Sequence, residues 1–402
     1  MALARTARLR EEIERALPER PFTISFWDGS TLPSTAGRGP TFAVRAPAAI
    51  AHCLLAPGQL GLGRAYVTGK IEPDDLDAVM RLLDSWQPPR IDRRSQARLA
   101  LAAVRTVGVS RPPRRPRAEL RLRGQRHTVE RDAKAVRHHY DLSSEFFALF
   151  LDRSMTYSCG IFSRGATTLE EAQDEKLEMV CTKLSLKEGD CVLDVGCGWG
   201  SFAMRAAARH GARVVGITLS EPQARLADER VSQAGLADSV EIRVADYREL
   251  SGESFDAIAS IGMVEHVGEE QIDVYAERLA GLLRPGGRLL NHGIATLPHT
   301  GSDAGPFSNR FVFPDAQPLQ LSRVLLALER AGFQSDHVEG FPGDYSQTLG
   351  HWARRLDENI KEACRLAGPE RVRVWRLYLR AARNGFDTGF TSLYQVNCRR
   401  RI

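Results

Sequence analysis

The segment with the clearest chemical meaning is the run Val192-Leu193-Asp194-Val195-Gly196-Cys197-Gly198-Trp199-Gly200. Its apolar start predicts a buried strand, and its glycines allow a sharp turn into a helix and leave room for a ligand against the main chain. Asp194 precedes the first glycine, an order that suits an amino-acid-bearing nucleoside better than a pyrophosphate. The run therefore predicts a nucleoside-binding turn, with an ordinary Rossmann turn as the alternative.

Polar side chains also follow the next two predicted strands. The second strand ends in Gly216-Ile217-Thr218-Leu219-Ser220, with Gln223 beyond it, and the third ends in Ala245-Asp246-Tyr247-Arg248. A polar group at the second end can hold ribose hydroxyls, and an acidic group at the third can meet an adenine amino group. Together the three strand ends resemble the class I S-adenosylmethionine-dependent methyltransferases. In that superfamily a fourth strand end, here residues 260–268, faces the transferable methyl group and the substrate.

Further motifs narrow this resemblance to one family. They are Arg137-His138-His139-Tyr140-Asp141, Tyr157-Ser158-Cys159-Gly160, Leu169-Glu170-Glu171-Ala172-Gln173 with Lys176, and Glu265-His266-Val267-Gly268. Through them residues 127–400 resemble the cyclopropane-fatty-acyl-phospholipid synthase family, and the N-terminal part resembles it more loosely. The resemblance implies methyl transfer from S-adenosylmethionine to the cis double bond of an unsaturated acyl chain on a phospholipid.

The resemblance also implies how a proton is removed afterwards. Methyl transfer to an alkene leaves a carbocation, and members of the family hold a bicarbonate ion that accepts its proton. The residues that match the family's bicarbonate site are Cys159, Glu265, His292, the backbone of Ile294, and Tyr345. An anion in an apolar pocket needs several hydrogen-bond donors, which a thiol, an imidazole, an amide and a phenol can supply. Glu265 is expected to orient a neighbouring donor or the bicarbonate proton.

The cofactor residues combine the strand ends with the Tyr-Ser pair that family members present to the methionine carboxylate. They are Tyr157, Ser158, Asp194, Gly196, Gly198, Gly200, Thr218, Leu219, Gln223, Asp246 and Tyr247. Nearby aromatic residues are expected either to line an acyl tunnel and stabilise the cation or to pack in the core. These are Tyr140, Phe146, Phe147, Tyr157 and Trp199.

Each catalytic assignment has a purely structural alternative. Taken alone, Cys159 is compatible with a buried apolar thiol, His292 with a hydrogen-bonded strand end, and Tyr345 with packing. The stretch Phe341-Pro342-Gly343-Asp344-Tyr345, continuing to Trp352, is predicted to be a loop. The functional assignment therefore depends on the joint match to the family pattern.

The elements that must position these residues follow from hydrophobic periodicity. Apolar runs at 191–195, 213–217, 240–244 and 255–261 alternate with helical patterns, as in βαβ units. We therefore predict an α/β fold for residues 127–402, a doubly wound, mostly parallel, Rossmann-like sheet with its ligand at the carboxyl ends of the strands. A smaller N-terminal α+β domain is predicted over 1–90, and a basic Pro- and Arg-rich linker over 91–126.

Composition excludes several classes of protein. Apolar residues make up 43% and charged residues 26% of the 402 residues, which is typical of a globular chain and too polar for a membrane-spanning one. No stretch approaches the roughly 18 consecutive apolar residues of a membrane-spanning helix, and the N-terminus lacks a signal-peptide pattern. The seven cysteines include no CxxC pair, so we expect neither a disulfide framework nor a structural metal.

The net charge of +5 is unevenly distributed, because residues 90–137 hold 15 Lys and Arg against 4 Asp and Glu. With a lipid substrate, this segment predicts peripheral binding to anionic headgroups on the inner face of the membrane by a cytoplasmic protein; a solvated linker is the alternative. Nucleic acid is not expected, because interleaved aromatic residues and a recognition module are absent from the sequence. The family resemblance further implies a homodimer.

Three functions remain open from the sequence. The first is cyclopropane synthesis, and the second is formation of a 10-methylene fatty acid, which a separate reductase saturates. The third is a non-catalytic lipid- or cofactor-binding protein, which the joint presence of the cofactor turn and the bicarbonate residues disfavours.

Overall fold

The computed structural model of the protein describes residues 6–108, 112–121, 131, 142–300 and 305–402. The chain forms two compact units. The smaller comprises Met1–Leu120, Gly305–Phe311 and Gly368–Ala381, and the larger comprises Arg121–Ala304, Val312–Ala367 and Ala382–Ile402. The motif at 137–141 and the arginines at 111, 123 and 126 lie outside the described residues, as does Tyr140.

The smaller unit is an α+β structure with a four-stranded sheet in the order β2-β1-β3-β4. Its elements are α1 Ala7–Ala16, β1 Thr23–Phe26, β2 Thr31–Leu32, β3 Thr41–Val44, α2 Pro47–Leu55, α3 Gln59–Val67, β4 Ile71–Pro73, α4 Leu76–Ser85 and α5 Arg93–Val107. Strands β1 and β3 are parallel, and the other two pairs are antiparallel. Its core contains Phe26, Leu32, Ala65 and Ala102.

The predicted linker differs from the structure between residues 93 and 107. These residues form α5, which the Asp92 side chain caps by accepting hydrogen bonds from the amides of Arg94 and Ser95. The prolines that argued against a helix lie on either side of α5, and Ala102 and Ala103 are buried in the core of the smaller unit. Most of the predicted linker therefore belongs to the N-terminal fold.

The larger unit is built on a seven-stranded sheet in the order β10-β11-β9-β8-β5-β6-β7. Its elements are α6 Ser144–Ala148, α7 Leu169–Lys183, β5 Cys191–Val195, α8 Ser201–His210, β6 Arg213–Thr218, α9 Glu221–Gln233, β7 Val240–Val244, β8 Phe255–Ile261, α10 Ile272–Leu282 and β9 Leu283–Thr296. Between β8 and α10 lies one 3-10 turn, Val264–His266. The remaining helices and strands are α11 Gly305–Phe311, α12 Leu321–Arg330, β10 Phe333–Gly340, α13 Pro342–Glu358, α14 Ile360–Asp387 and β11 Thr391–Arg400, of which α11 and part of α14 belong to the smaller unit.

Strands β5 to β9 pair in parallel, and β10 and β11 close one edge in antiparallel pairing. The predicted doubly wound, mostly parallel fold is therefore confirmed. Strand β5 lies between β6 and β8, so the chain reverses its winding direction beside the carboxyl end of β5. In folds of this kind that reversal opens a crevice for a ligand.

Successive side chains of β5 point to opposite faces of the sheet and therefore pack against different helices. Leu193 and Val195 pack on one face of the sheet with Ile258 and Tyr275. Val192 packs on the opposite face with α7 and α8. Asp194 has the same parity as Val192, so its carboxylate faces the layer that contains α7.

Candidate active site

The glycine turn after β5 adopts a backbone conformation that side chains disfavour. Gly196, Gly198 and Gly200 have φ values of +79°, +55° and +82°. The amides of Gly196 and Cys197 both donate to the carbonyl of Ile217 on β6, at 3.0 and 2.9 Å. This pairing holds the turn against the neighbouring strand and directs the chain into α8.

One cavity collects almost all of the predicted cofactor residues. Its walls include every member of that set except Gly200, which instead lies against Ala227. The cavity also contains Met263 and His266 from the fourth strand end, as the superfamily resemblance implies. Since all these residues belong to the larger unit, the cavity is formed within the Rossmann-like fold alone.

The floor of the cavity carries opposite charges. The Lys176 ammonium on α7 is 1% exposed and donates to Ser158 Oγ at 3.0 Å. Asp194 is 2% exposed, and its Oδ2 atom has no hydrogen-bond partner among the described residues. Burial raises the pKa of Asp194 to about 7 in spite of the nearby lysine, and burial lowers the pKa of Lys176 to about 8.

The ends of β6 and β7 supply the rest of the polar lining. Thr218 Oγ1 donates to Gln223 Oε1 at 2.8 Å, so these two side chains orient each other. The Asp246 carboxylate accepts from the Arg248 guanidinium at 2.6 and 2.9 Å. The acidic group expected to meet adenine is therefore ion-paired, and Arg248, which the sequence analysis did not select, lines the same cavity.

Glu265 and Ile294 are brought together although they lie on different elements. The Ile294 amide on β9 donates to Glu265 Oε1 at 2.8 Å. This contact requires the 3-10 turn to lie close to β9 at Gly293, where a Cβ would stand 2.2 Å from Val264 Cγ1. The Ile294 amide is therefore already engaged with the Glu265 carboxyl and fixes its orientation.

The other carboxyl oxygen of Glu265 is an unusual buried group. Oε2 has no hydrogen-bond partner among the described residues. Burial raises the pKa of Glu265 to about 7, against the opposing effect of the Ile294 amide. At neutral pH this carboxyl therefore exists in both protonation states and can donate or accept one proton.

The protonation of His292 is determined by a chain of hydrogen bonds. Lys183 Nζ donates to Gln395 Oε1 at 2.7 Å, and Gln395 Nε2 contacts His292 Nδ1 at 3.1 Å. Since lysine can only donate, the amide oxygen of Gln395 faces Lys183 and its amide nitrogen donates to Nδ1. Burial lowers the pKa of His292 to about 3, so the ring is neutral and its proton is on Nε2. Nε2 itself has no partner among the described residues.

Cys159 and the backbone amide of Tyr345 both lie near the carbonyl of Phe341, whereas the Tyr345 ring packs on Phe386 with a centroid distance of 4.7 Å. Cys159 is fully buried, and its thiol donates to the Gly160 carbonyl at 3.1 Å and lies 4.0 Å from the Phe341 oxygen. Burial raises the pKa of this thiol well above the ordinary value. The Tyr345 amide donates to the Phe341 carbonyl at 3.2 Å. The predicted loop around Tyr345 is wrong, because these residues form the first turns of α13, where Pro342 at the helix start leaves no amide unsatisfied.

Of the five predicted bicarbonate residues, Glu265 is joined to Ile294 by a hydrogen bond, with His292 two residues earlier on β9, and Cys159 and the Tyr345 amide lie near the Phe341 carbonyl. The buried Lys176 ammonium interacts electrostatically with both Cys159 and His292. None of the five lines the cofactor cavity. The predicted bicarbonate residues are therefore separate from the cavity wall that the predicted cofactor residues form.

Some of the predicted aromatic residues line the cavity, and others pack in the core. Phe146 and Phe147 are fully buried and pack with each other at a centroid distance of 5.9 Å, so their position agrees with the packing alternative. Tyr157 and Trp199 line the cavity, with Phe147 behind them at 5.6 and 5.0 Å. The phenylalanines therefore support the cavity wall from behind.

Comparison with known proteins decides the family. Residues 127–396 match the model of the mycolic acid cyclopropane synthetase family, which is more than half of the chain. The chain belongs to this family. The resemblance expected from the motifs is therefore confirmed.

Its relatives cover nearly the whole chain. A probable fatty acid methyltransferase of Mycobacterium tuberculosis (strain ATCC 25618 / H37Rv) is 37% identical over 403 residues, covering 96% of this chain and 92% of the relative. The cyclopropane-fatty-acyl-phospholipid synthase of Escherichia coli (strain K12) is 33% identical over 344 residues, covering 85% and 84%. The crystal structure of the mycolic acid cyclopropane synthase CmaA1 complexed with SAH and CTAB matches with 32% identity and a TM-score of 0.63, covering 67% of this chain and 98% of that one.

As a mycolic acid cyclopropane synthetase family member, the protein is an S-adenosylmethionine-dependent methyltransferase. The cavity fits this cosubstrate chemically. Gly196 keeps one wall free of a side chain, and the Lys176 ammonium and the Asp194 carboxylate, whose Oδ2 atom has no partner within the described ranges, offer opposite charges. When bound, S-adenosylmethionine supplies an electrophilic methyl group on sulfur. Met263 and His266 line the side of the cavity that the superfamily assigns to that methyl group.

Proposed function

We propose that the protein transfers a methyl carbon from S-adenosylmethionine to the cis double bond of an unsaturated acyl chain on a phospholipid and closes a cyclopropane ring. The alkene π pair forms the new C–C bond while the C–S bond breaks, which leaves a cation on the other alkene carbon. Loss of a proton from the added methyl group supplies the electron pair that closes the ring. The chemistry therefore requires a proton acceptor beside the methyl-transfer position.

The observation that carries this proposal is a pair of atoms, Glu265 Oε2 and His292 Nε2, which are buried near the fourth strand end and have no hydrogen-bond partner in the part of the chain that the structure describes. The Nε2–H group is a free donor, and the carboxyl, with its pKa raised to about 7 by burial, accepts or donates. A bicarbonate ion satisfies both atoms, because it offers acceptor oxygens to the imidazole and a hydroxyl to the carboxylate. In this assignment bicarbonate accepts the proton, and Glu265 and His292 hold and orient it, with Cys159 and Tyr345 as further donors.

A second product is favoured by the names of two relatives. The 37% identical relative is a probable fatty acid methyltransferase, and another at 29% identity over 408 residues is a tuberculostearic acid methyltransferase. If a hydride shift moves the cation to the methyl-bearing carbon before proton loss, the product is a 10-methylene chain. The same acceptor serves both products, because each loses a proton from the added methyl group; the methylene product requires a hydride shift first, and the cyclopropane requires none.

The position of the transferred carbon in the lipid product distinguishes these two reactions. Incubation of the purified protein with methyl-labelled S-adenosylmethionine and vesicles of a monounsaturated phospholipid should place the label in a cyclopropane ring, read by gas chromatography and nuclear magnetic resonance. Label in an exocyclic methylene would establish the second reaction. Cofactor binding without label in lipid would overturn both and support a binding protein.

We further propose that the protein reaches its substrate by peripheral binding to anionic membrane, through the basic region that includes α5. Among the described residues no helix is long and apolar enough to cross a bilayer. Helix α5 exposes Leu101 by 49% and Val104 by 53% beside Arg94 and Arg105. Three exposed arginines follow the helix: Arg114, Arg115 and Arg117. Exposed basic residues contribute about 1 kcal/mol each near an anionic surface, and the two aliphatic side chains add apolar contact.

Vesicle binding tests this surface. The double variant Leu101→Glu with Val104→Glu, and separately the change of Arg114, Arg115 and Arg117 to Gln, should each weaken sedimentation with anionic vesicles by roughly tenfold or more. Added salt should weaken binding of the parent, because exposed charges are screened over about 8–10 Å. Leu326→Glu with Val274→Glu is the matched control, since these side chains are 42% and 38% exposed on helices of the larger unit. Vesicle binding that is unchanged by both sets of substitutions and by added salt would indicate that the basic segment is only a solvated surface.

The cytoplasmic location and the homodimer that the family resemblance implies stay predictions. Light scattering of the purified protein measures the oligomeric state directly.

A further inference from the structure

Lys176 is a buried charge that neither methyl transfer nor proton removal uses in the function proposed above. It lies on α7 with 1% of its surface exposed, yet it forms part of the cofactor cavity. Its ammonium donates to Ser158 Oγ at 3.0 Å. A buried ammonium is costly unless it is paired and hydrogen-bonded, so its position requires a compensating interaction.

The hydrogen bond to Ser158 also decides what Ser158 can do. Because its oxygen accepts from Lys176, the serine hydroxyl proton is free to point elsewhere. Ser158 lines the same cavity, so its proton is available to an acceptor there. Lysine and serine together form a donor pair aimed at a negatively charged group.

Asp194 supplies the opposite half of the arrangement. Its carboxylate interacts electrostatically with Lys176, and its Oδ2 atom has no partner among the described residues. Its side chain faces the α7 side of the sheet because of the alternation along β5. The floor of the cavity thus has a donor pair and a carboxylate oxygen that no described residue engages, one for each charge of a zwitterion.

We propose that Lys176 is a positioning residue that makes the cavity selective for ligands with an amino-acid tail, by orienting the Ser158 hydroxyl toward the α-carboxylate while Asp194 receives the α-ammonium. This inference rests on S-adenosylmethionine binding in the cavity, and it is independent of which lipid product is formed. It assigns α7 a direct part in ligand selection. An adenosine derivative without the amino-acid tail gains nothing from Lys176.

The charge on Lys176 predicts a matching pH dependence. The titratable groups that face it are Asp152, Cys159, Cys181, Asp194 and His292. Burial lowers the pKa of Lys176 to about 8, so its charge is present below pH 8 and is lost as the pH rises through that value. Attraction for a ligand carboxylate should therefore weaken between about pH 7 and 9 in the parent.

Calorimetry with two ligands tests the proposal without any turnover. The ligands are S-adenosylhomocysteine, which has the amino-acid tail, and 5′-methylthioadenosine, which lacks it. Lys176→Met should lower the affinity for S-adenosylhomocysteine by roughly 10–100-fold, as expected for one charge-assisted hydrogen bond. The affinity for 5′-methylthioadenosine should stay within about threefold of the parent value. Lys187→Met, an exposed lysine four residues after Lys183, is the control and should change neither affinity.

Two further measurements cover the case in which Lys176→Met does not fold. Ser158→Ala should give the same selective loss, and the parent should lose affinity for S-adenosylhomocysteine relative to 5′-methylthioadenosine as the pH rises above 8. Equal weakening of both ligands in either variant, or parallel pH profiles for the two ligands, would show a structural role and overturn the inference. Neither result would affect the assignment of methyl transfer, which is measured by label in lipid.

Discussion

Glu265→Gln should lower turnover by roughly 10²–10⁴-fold, the usual contribution of a positioned acid-base group, and leave S-adenosylmethionine affinity unchanged. The glutamine oxygen can still accept from the Ile294 amide, as Oε1 does at 2.8 Å, so the fold around the 3-10 turn is preserved. What is lost is the second oxygen, which has no partner among the described residues and is the atom available to bicarbonate. Glu265 does not line the cofactor cavity, which is why binding should survive.

The measurement is a pair of assays, turnover with labelled cosubstrate and binding by calorimetry. Glu270→Gln, an exposed acid on the same segment, is the matched control and should retain full turnover. His292→Ala should behave like Glu265→Gln, because it removes the Nε2–H donor that the Lys183 and Gln395 bonds establish.

Bicarbonate dependence separates the bound ion from a direct base. Turnover by the parent protein should fall in decarbonated buffer and recover when bicarbonate is added. Turnover by the Glu265→Gln variant should change less when bicarbonate is added. Full parent activity without bicarbonate would refute the bound ion and identify Glu265 as the base, since the free nitrogen of His292 already carries its proton.

Gly196→Val should abolish S-adenosylmethionine binding in a folded protein. Gly196 has φ +79°, where a β-branched residue is strained, and its new Cβ would stand 3.3 Å from Met263 Cγ inside the cavity. The valine methyl groups extend further into the same space. We expect a loss of cofactor affinity of at least 10²-fold, an order of magnitude set by the loss of close main-chain approach.

Gly252→Val separates backbone strain from occlusion of the cavity. Gly252 has φ +75°, and a Cβ at this position would have no atom within 4 Å. The variant therefore has a backbone strain similar to that of Gly196→Val, but at a position outside the cavity. It should be destabilised to a similar extent in thermal unfolding and bind the cofactor normally. Undiminished cofactor affinity in folded Gly196→Val would contradict the placement of the ligand against this turn.

Much of the larger unit follows from local features of the sequence. Strands buried on both faces need continuous apolar runs, so β5, β6 and β8 are visible as short hydrophobic segments, whereas β7 is a partly exposed edge strand. A turn at positive φ favours glycine, so the cofactor turn is visible as well. Since parallel strands bring their carboxyl ends to one edge, the order of motifs along the chain predicted that the strand-end residues line one cavity, whereas Tyr157 and Ser158 were assigned from the family resemblance and Lys176 and Arg248 were missed.

Errors arose where a local pattern competed with tertiary packing. The prolines and arginines of 91–126 suggested a linker, but burial of Ala102 and Ala103 against the N-terminal core stabilises a helix between the prolines. The Gly and Pro residues around Tyr345 suggested a loop, but Pro342 is at a helix start, where its missing amide costs nothing.

The chemistry of the buried groups was decided by tertiary structure alone. Gln395 and His292 are 103 residues apart, and only the antiparallel pairing of β11 with β9 brings them together and determines the His292 tautomer. Likewise, Lys176 and Asp194 become a charged cavity floor only because α7 covers the face of the sheet toward which Asp194 points. The sequence by itself contains the residue types and the motifs. Protonation states depend on burial and on partners distant in sequence, and burial and such contacts exist only in the folded protein.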